Sequence, residues 1–183
     1  MSNFKFIETK IKGLFIIEMK VYGDQRGYFM ETYKEDDFSL AGLNYKFVQD
    51  NQSSSTKGVL RGLHFQKIYS QAKLVRVLKG EVFDVAVDLR KSSETYGQWF
   101  GIVLSEDNKK QLMIPRGFAH GFLVLSDYAE FVYKCDELYH PEDEGGIIFN
   151  DKDINIDWPQ VNKIILSEKD KNNPTLAKCK VEF

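Results

Sequence analysis

An arginine and a histidine stand three residues apart in the run Gly58-Val-Leu-Arg-Gly-Leu-His-Phe-Gln66, inside an otherwise apolar, strand-like segment. A guanidinium beside an imidazole is equipment for holding an anion next to acid–base chemistry. A regular strand would send Arg61 and His64 to opposite faces. Gly62, between them, offers a way round this, because glycine in a strand marks a bulge or a close backbone approach. With a bulge, both polar groups enter one cavity. Without it, Arg61 is a surface arginine and His64 a hydrogen-bonded core histidine.

Other reactive side chains recur along the chain. His120 sits in Ile114-Pro-Arg-Gly-Phe-Ala-His-Gly-Phe122, where a strand follows a Pro-Arg-Gly turn. It reads either as a ligand-facing imidazole or as a satisfied core histidine. Lys73 opens an apolar strand with Val75 and Val77 on its face. Facing inward, its ammonium would meet a negative partner or a developing anion; facing outward, it is a strand-edge lysine. Tyr133 alternates with Phe131 and Cys135, and is either a proton donor or a packed aromatic. Tyr139, in a loop before His140-Pro141, offers a ring for stacking on a planar base. Arg26 and Glu31 lie in Gly23–Glu31, and Gln49 and Asn51 in a polar cluster expected to follow a strand.

The elements that must position these groups are mostly strands. Phe83, Val85, Val87 and Leu89 alternate with Val82, Asp84, Ala86 and Asp88, a period of two. The preceding Lys73–Leu78 run joins this strand through Lys79-Gly80, a hairpin turned by glycine. Further strands are expected at Phe15–Val21, Phe29–Tyr33, Trp99–Leu104, Gln111–Ile114, Phe118–Val124 and Glu130–Lys134. Helix signals are few: one short helix within Lys34–Leu43, and a second opening at Ser167, an N-cap, with Asp170 three residues on. Many short, closely spaced strands make the chain mainly β. An antiparallel jelly roll, or cupin-like barrel, with a few short helices fits best. Such a barrel lets inward polar residues converge on a small ligand.

Composition bounds the rest. A chain of 183 residues without a low-complexity tract or Pro/Ser-rich linker reads as a single domain, 1–183. A net charge of −2 argues against nucleic acid as partner. No apolar run is long enough to span a bilayer, and the N-terminus lacks a secretory apolar core. Cys135 and Cys179 form no disulfide framework, so a reducing cytoplasm is expected. Three histidines with no His-x-His pair leave a metal site on His64, His120 and a carboxylate as the less favoured option.

Nine blocks, read in order, resemble the dTDP-4-dehydrorhamnose 3,5-epimerase family over about Gly13 to Leu176. They are Gly23–Glu31, Phe47–Asn51, Gly58–Gln66, Gln71–Val77, Asp84–Arg90, Ile114–Phe122, Tyr133–Tyr139, Asp157–Pro159 and Leu166–Asp170. The resemblance implies a homodimeric isomerase of jelly-roll fold that needs neither metal nor cofactor. Its substrate would be dTDP-4-keto-6-deoxyglucose, inverted at C3 and C5. It implies His64 as base, Asp170 as its partner, Lys73 as the cation at the enolate oxygen and Tyr133 as proton donor across the sugar. Arg26 and Arg61 would hold the pyrophosphate. Glu31, Gln49 and Asn51 would recognise the thymine or its sugar, and Tyr139 would stack on the base. His120, Glu144 and Lys169 would complete the contacts, with some base-binding residues supplied by the partner subunit. The open alternatives are a single-centre epimerase on the same or another nucleotide-linked keto sugar, a non-catalytic sugar-nucleotide binder and a metal-dependent cupin.

Overall fold

The computed structural model describes residues 2–183. Thirteen strands run in chain order: β1 Phe4–Glu8, β2 Phe15–Met19, β3 Tyr22–Asp24, β4 Gly27–Phe29, β5 Gln49–Thr56, β6 Leu60–Gln66, β7 Lys73–Lys79, β8 Glu81–Asp88, β9 Trp99–Ser105, β10 Gln111–Ile114, β11 Phe118–Val124, β12 Tyr128–Cys135 and β13 Glu144–Gly146. Two short α-helices fall where the sequence places them, α1 Glu35–Leu40 within Lys34–Leu43 and α2 Glu168–Lys171 after the Ser167 cap. The strands form a six-stranded sheet, β1-β2-β10-β7-β12-β5, and a five-stranded sheet, β13-β6-β11-β8-β9, while β3 and β4 make a separate hairpin. The strand pairings within the sheets are antiparallel, and the two large sheets face each other as the jelly roll requires.

Between the sheets lies an apolar core that includes Val75, Val77, Val82, Ala86, Phe122 and Phe131. Phe122, from one sheet, stacks on Phe131, from the other, with ring centroids 4.2 Å apart. This contact joins the sheets; beyond it charged and polar side chains enter the interior among apolar ones such as Val59, Leu60 and Ile165. Two further clusters cover the outer faces. Val85, Val87 and Leu89 pack under the C-terminal segment with Ile147, Ile154 and Val181. Leu74 and Met113 pack under α1 through Phe38. Both faces of β8 are therefore covered, with Asp84 on the inner one.

Two sequence expectations need correction. The Phe29–Tyr33 strand stops at Phe29, because its partner arm is only Tyr22–Asp24. Beyond it the backbone is held by a side chain instead of a ladder: the Gln111 amide donates to the Thr32 carbonyl at 2.7 Å. Gln49 and Asn51 do not follow a strand; they lie within β5 itself. Gln49–Thr56 has no apolar alternation, which an edge strand paired only to β12 does not need.

Candidate functional site

The barrel end beyond Phe122 and Phe131 holds a cavity of about 480 Å³, lined by Arg61, His64, Lys73, His120, Tyr133, Lys169 and Asp170 among others. The bulge at Gly62 exists. Across β6 and β11, His64 faces His120 and Arg61 faces Phe122, so three steps on one strand match two on the other. The extra residue turns Arg61 and His64 to the same side. Gly62 has φ +134°, and a Cβ there would lie 2.5 Å from the Gly121 Cα, so neither the conformation nor the space admits a side chain.

His64 meets Asp170 through Nε2 and Oδ1 at 2.5 Å, although the two are 106 residues apart. The C-terminal segment is pinned to the start of β6: Leu60 N–H donates to the Ile165 carbonyl and Ile165 N–H to the Gly58 carbonyl. Ser167 then caps α2 by accepting the Asp170 N–H at 3.1 Å, which fixes the carboxylate over the cavity. Burial alone would raise the Asp170 carboxyl. The hydrogen bond and charge of His64, with the Ser167 and Gly62 contacts, outweigh it and hold the group below its ordinary range. The Asp170 side chain is 4% exposed and that of His64 30%, so the imidazole reaches the cavity while its partner does not. With Nε2 donating to the carboxylate, Nδ1 carries the free lone pair.

Lys73 stands on the inner face of β7, in register with Cys135 of β12. Among the described residues its ammonium forms no ion pair. Desolvation lowers its pKa, opposed by the neighbouring Cys135 and by the carboxylates of Glu144 and Asp84. Its Nζ lies 5.9 Å from the centre of the Tyr133 ring. The Tyr133 hydroxyl makes no hydrogen bond to any described residue, and burial pushes its pKa up to about 12. The phenol therefore keeps its proton at neutral pH. Cys135, next along the same face, is likewise pushed up by burial, to about 11.

His120 carries its own carboxylate. Its Nε2 lies 2.9 Å from Asp84 Oδ2, and Asp84 is fully buried with Oδ1 unpartnered. Asp84 was not among the sequence candidates. Its signal was present, since alternation puts it on the same face as Val82 and Ala86. At the cavity mouth, Arg61 donates to Ser55 Oγ at 3.1 Å and to the Ser54 carbonyl at 3.3 Å, bridging β6 to β5. Lys169 pairs with Glu144, whose Oε2 also accepts from the Tyr139 hydroxyl at 2.7 Å. Gln49 Oε1 accepts the Tyr139 N–H, and Gln49 Nε2 donates to Asn51.

Two sequence candidates stay outside this assembly. Arg26 is on the exposed β3–β4 hairpin, ion-paired with Asp24. Glu31 accepts a hydrogen bond from Asn3. Among the described residues, no three His, Cys, Asp or Glu side chains converge as metal ligands.

The family model for dTDP-4-dehydrorhamnose 3,5-epimerase matches residues 8–178. The chain belongs to the dTDP-4-dehydrorhamnose 3,5-epimerase family. Among its relatives, the dTDP-4-dehydrorhamnose 3,5-epimerase of Methanothermobacter thermautotrophicus is 59% identical over 94% of each chain. That of Escherichia coli K12 is 55% identical over 93% of each. The crystal structure of the family member from Legionella pneumophila, in complex with dTDP-4-keto-L-rhamnose, superposes with a TM-score of 0.95 at 50% identity over 98% of both chains. For this epimerase-family chain, the jelly-roll expectation and the double-inversion expectation both hold.

Proposed function

We propose that this chain converts dTDP-4-keto-6-deoxyglucose to dTDP-4-keto-L-rhamnose by inverting C3 and C5 through its own acid–base groups. One observation carries the mechanism: His64 comes from the five-stranded sheet and Tyr133 from the six-stranded sheet, and both line the same cavity. A hexose lying between the sheets would present one face to each.

Hydrogens on C3 and C5 are acidic only because the C4 ketone can take the electron pair as an enolate. His64 Nδ1 removes the hydrogen, and Asp170 holds the tautomer and balances the imidazolium that forms. Lys73, an unpaired cation in a desolvated setting, meets the negative enolate oxygen. Tyr133 gives its proton to the carbon from the other side, and its phenolate is favoured by Arg61. Both groups recover their protonation states before the second centre reacts. His120 contacts the sugar, oriented by Asp84. Arg61 binds the pyrophosphate. Tyr139 stacks on the thymine, with Gln49, Asn51, Glu144 and Lys169 around the base and its sugar. Arg26 and Glu31, being outside their own cavity, serve the site of a second copy. The exposed Tyr22, Tyr28 and Phe29 of the same hairpin support a homodimer that buries them. Among the described residues, no helix is long and apolar enough to cross a membrane. The two free thiols and the nucleotide-sugar substrate support a cytoplasmic setting without membrane or nucleic-acid partners. Incubation with dTDP-4-keto-6-deoxyglucose should give a product whose NMR couplings report both centres inverted; inversion at one centre alone would contradict the proposal.

Lys73→Met is expected to separate stability from activity. Because the lysine's pKa is lowered in the fold, its charged form costs stability at pH values below that lowered pKa. That cost disappears as pH rises toward the unfolded value. At neutral pH the apolar substitute should stabilise the fold by about 1 kcal/mol, raising Tm by about 2–4 °C. The gain should shrink near pH 10. Turnover should fall by ~10²-fold or more while KM changes little. Calorimetric unfolding at several pH values and steady-state kinetics check both halves.

A further inference from the structure

The loop that carries Tyr139 has no regular secondary structure, and Leu138 and Tyr139 are half exposed. Such a segment is ordinarily mobile. Here buried side chains rivet it from below. Gln66, the last residue of β6 and only 3% exposed, donates from Nε2 to the Tyr69 carbonyl at 2.6 Å and to the Leu138 carbonyl at 3.0 Å. Its Oε1 accepts the His140 N–H at 2.6 Å. Both amide hydrogens and the amide oxygen are thus engaged with backbone, two of the bonds flanking Tyr139 and the third holding the neighbouring Tyr69 loop. Gln71 adds a bond to the Glu137 carbonyl at 2.9 Å. The Asp143 carboxylate, also buried, accepts the N–H groups of Ile68 and Tyr69. The Tyr69 and His140 rings stack at 4.0 Å, closing the two loops on each other.

We propose that Gln66 is a positioning residue for the nucleobase subsite, fixing the Tyr139 ring before substrate arrives and at a set distance from His64, two residues earlier on the same strand. The inference rests on the proposed stacking role of Tyr139 and deepens it. A base that stacks on a ring already held loses less loop freedom on binding than one that must order the loop itself.

The test is a double-mutant cycle read by calorimetric binding of dTDP and by steady-state kinetics. Gln66→Glu keeps the oxygen that accepts from His140 but sets a carboxylate against two carbonyls; Gln66→Leu removes all three bonds. Either should raise the dTDP Kd and the substrate KM about tenfold, with kcat within about twofold. In a Tyr139→Ala background the same changes should have almost no further effect. Undiminished dTDP affinity in a folded Gln66 variant, or the full penalty when Tyr139 is already alanine, would overturn the proposal. If both Gln66 variants fail to fold, Gln71→Leu in the same cycle decides, with a smaller penalty of the same pattern expected and an additive or absent one contradicting. If Tyr139→Ala alone leaves dTDP binding unchanged, the stacking role fails; if only the glutamine variants are silent, the stacking role stands and the clamp fails.

Discussion

Replacing His64 by asparagine is expected to abolish deuterium uptake from heavy water at both C3 and C5, with turnover reduced about 10⁴-fold. Asparagine can still hydrogen-bond Asp170 but has no lone pair basic enough to accept a carbon-bound proton. The loss should be nearly equal at both carbons, because of the two cavity-lining imidazoles with carboxylate partners His64 is the more open, its side chain 30% exposed. His120 is the competing candidate, since it too has a carboxylate, but it is itself only 8% exposed. Binding of dTDP should change little, so the variant would also exclude a barrel that merely binds. Label retained at one carbon would mean that a second base serves that centre.

Tyr133→Phe is expected to produce the opposite signature. Removing the hydroxyl leaves the base and the cation in place, so proton loss and exchange should persist. Inversion should slow by ~10²-fold or more, because the other face of the enolate no longer meets a positioned acid. A proton returned by His64 restores the starting configuration. NMR in heavy water separates the two rates directly. The pH dependence has a stated sign: with the phenol pushed up to about 12, its protonated fraction does not change between pH 6 and 9, so no loss of donor should appear in that window. If exchange and inversion fall together, Tyr133 is not the donor.

Much of the architecture was legible because strands covered by the core carry dense runs of β-branched and aromatic residues bounded by turn signals. The β7–β8 hairpin, with Gly80 at φ +76°, follows from that pattern and from the need for a left-handed turn residue. The polar β5 was not legible: an edge strand with a solvent-side row of Asp50, Gln52 and Ser54 carries no hydrophobic period. The bulge at Gly62 was foreseeable from glycine between two polar residues, and it is what puts Arg61 and His64 into one cavity. The His64–Asp170 contact spans 106 residues, and no local spacing reports it; it came from the family resemblance. Asp84 was visible as an aspartate on an inner face but was passed over as one half of an alternation. Arg26 and Glu31 lie away from the cavity, and neither their spacing nor their sequence neighbours reports that placement.

In the proposed mechanism the sugar lies between a base on one sheet and an acid on the other. A crystal structure of the chain with dTDP-L-rhamnose bound tests it most directly. His64 Nδ1 and the Tyr133 hydroxyl should lie on opposite faces of the hexose, each within about 3.5 Å of C3 or C5. Both groups on one face, or Tyr133 turned away from the ring, would contradict it.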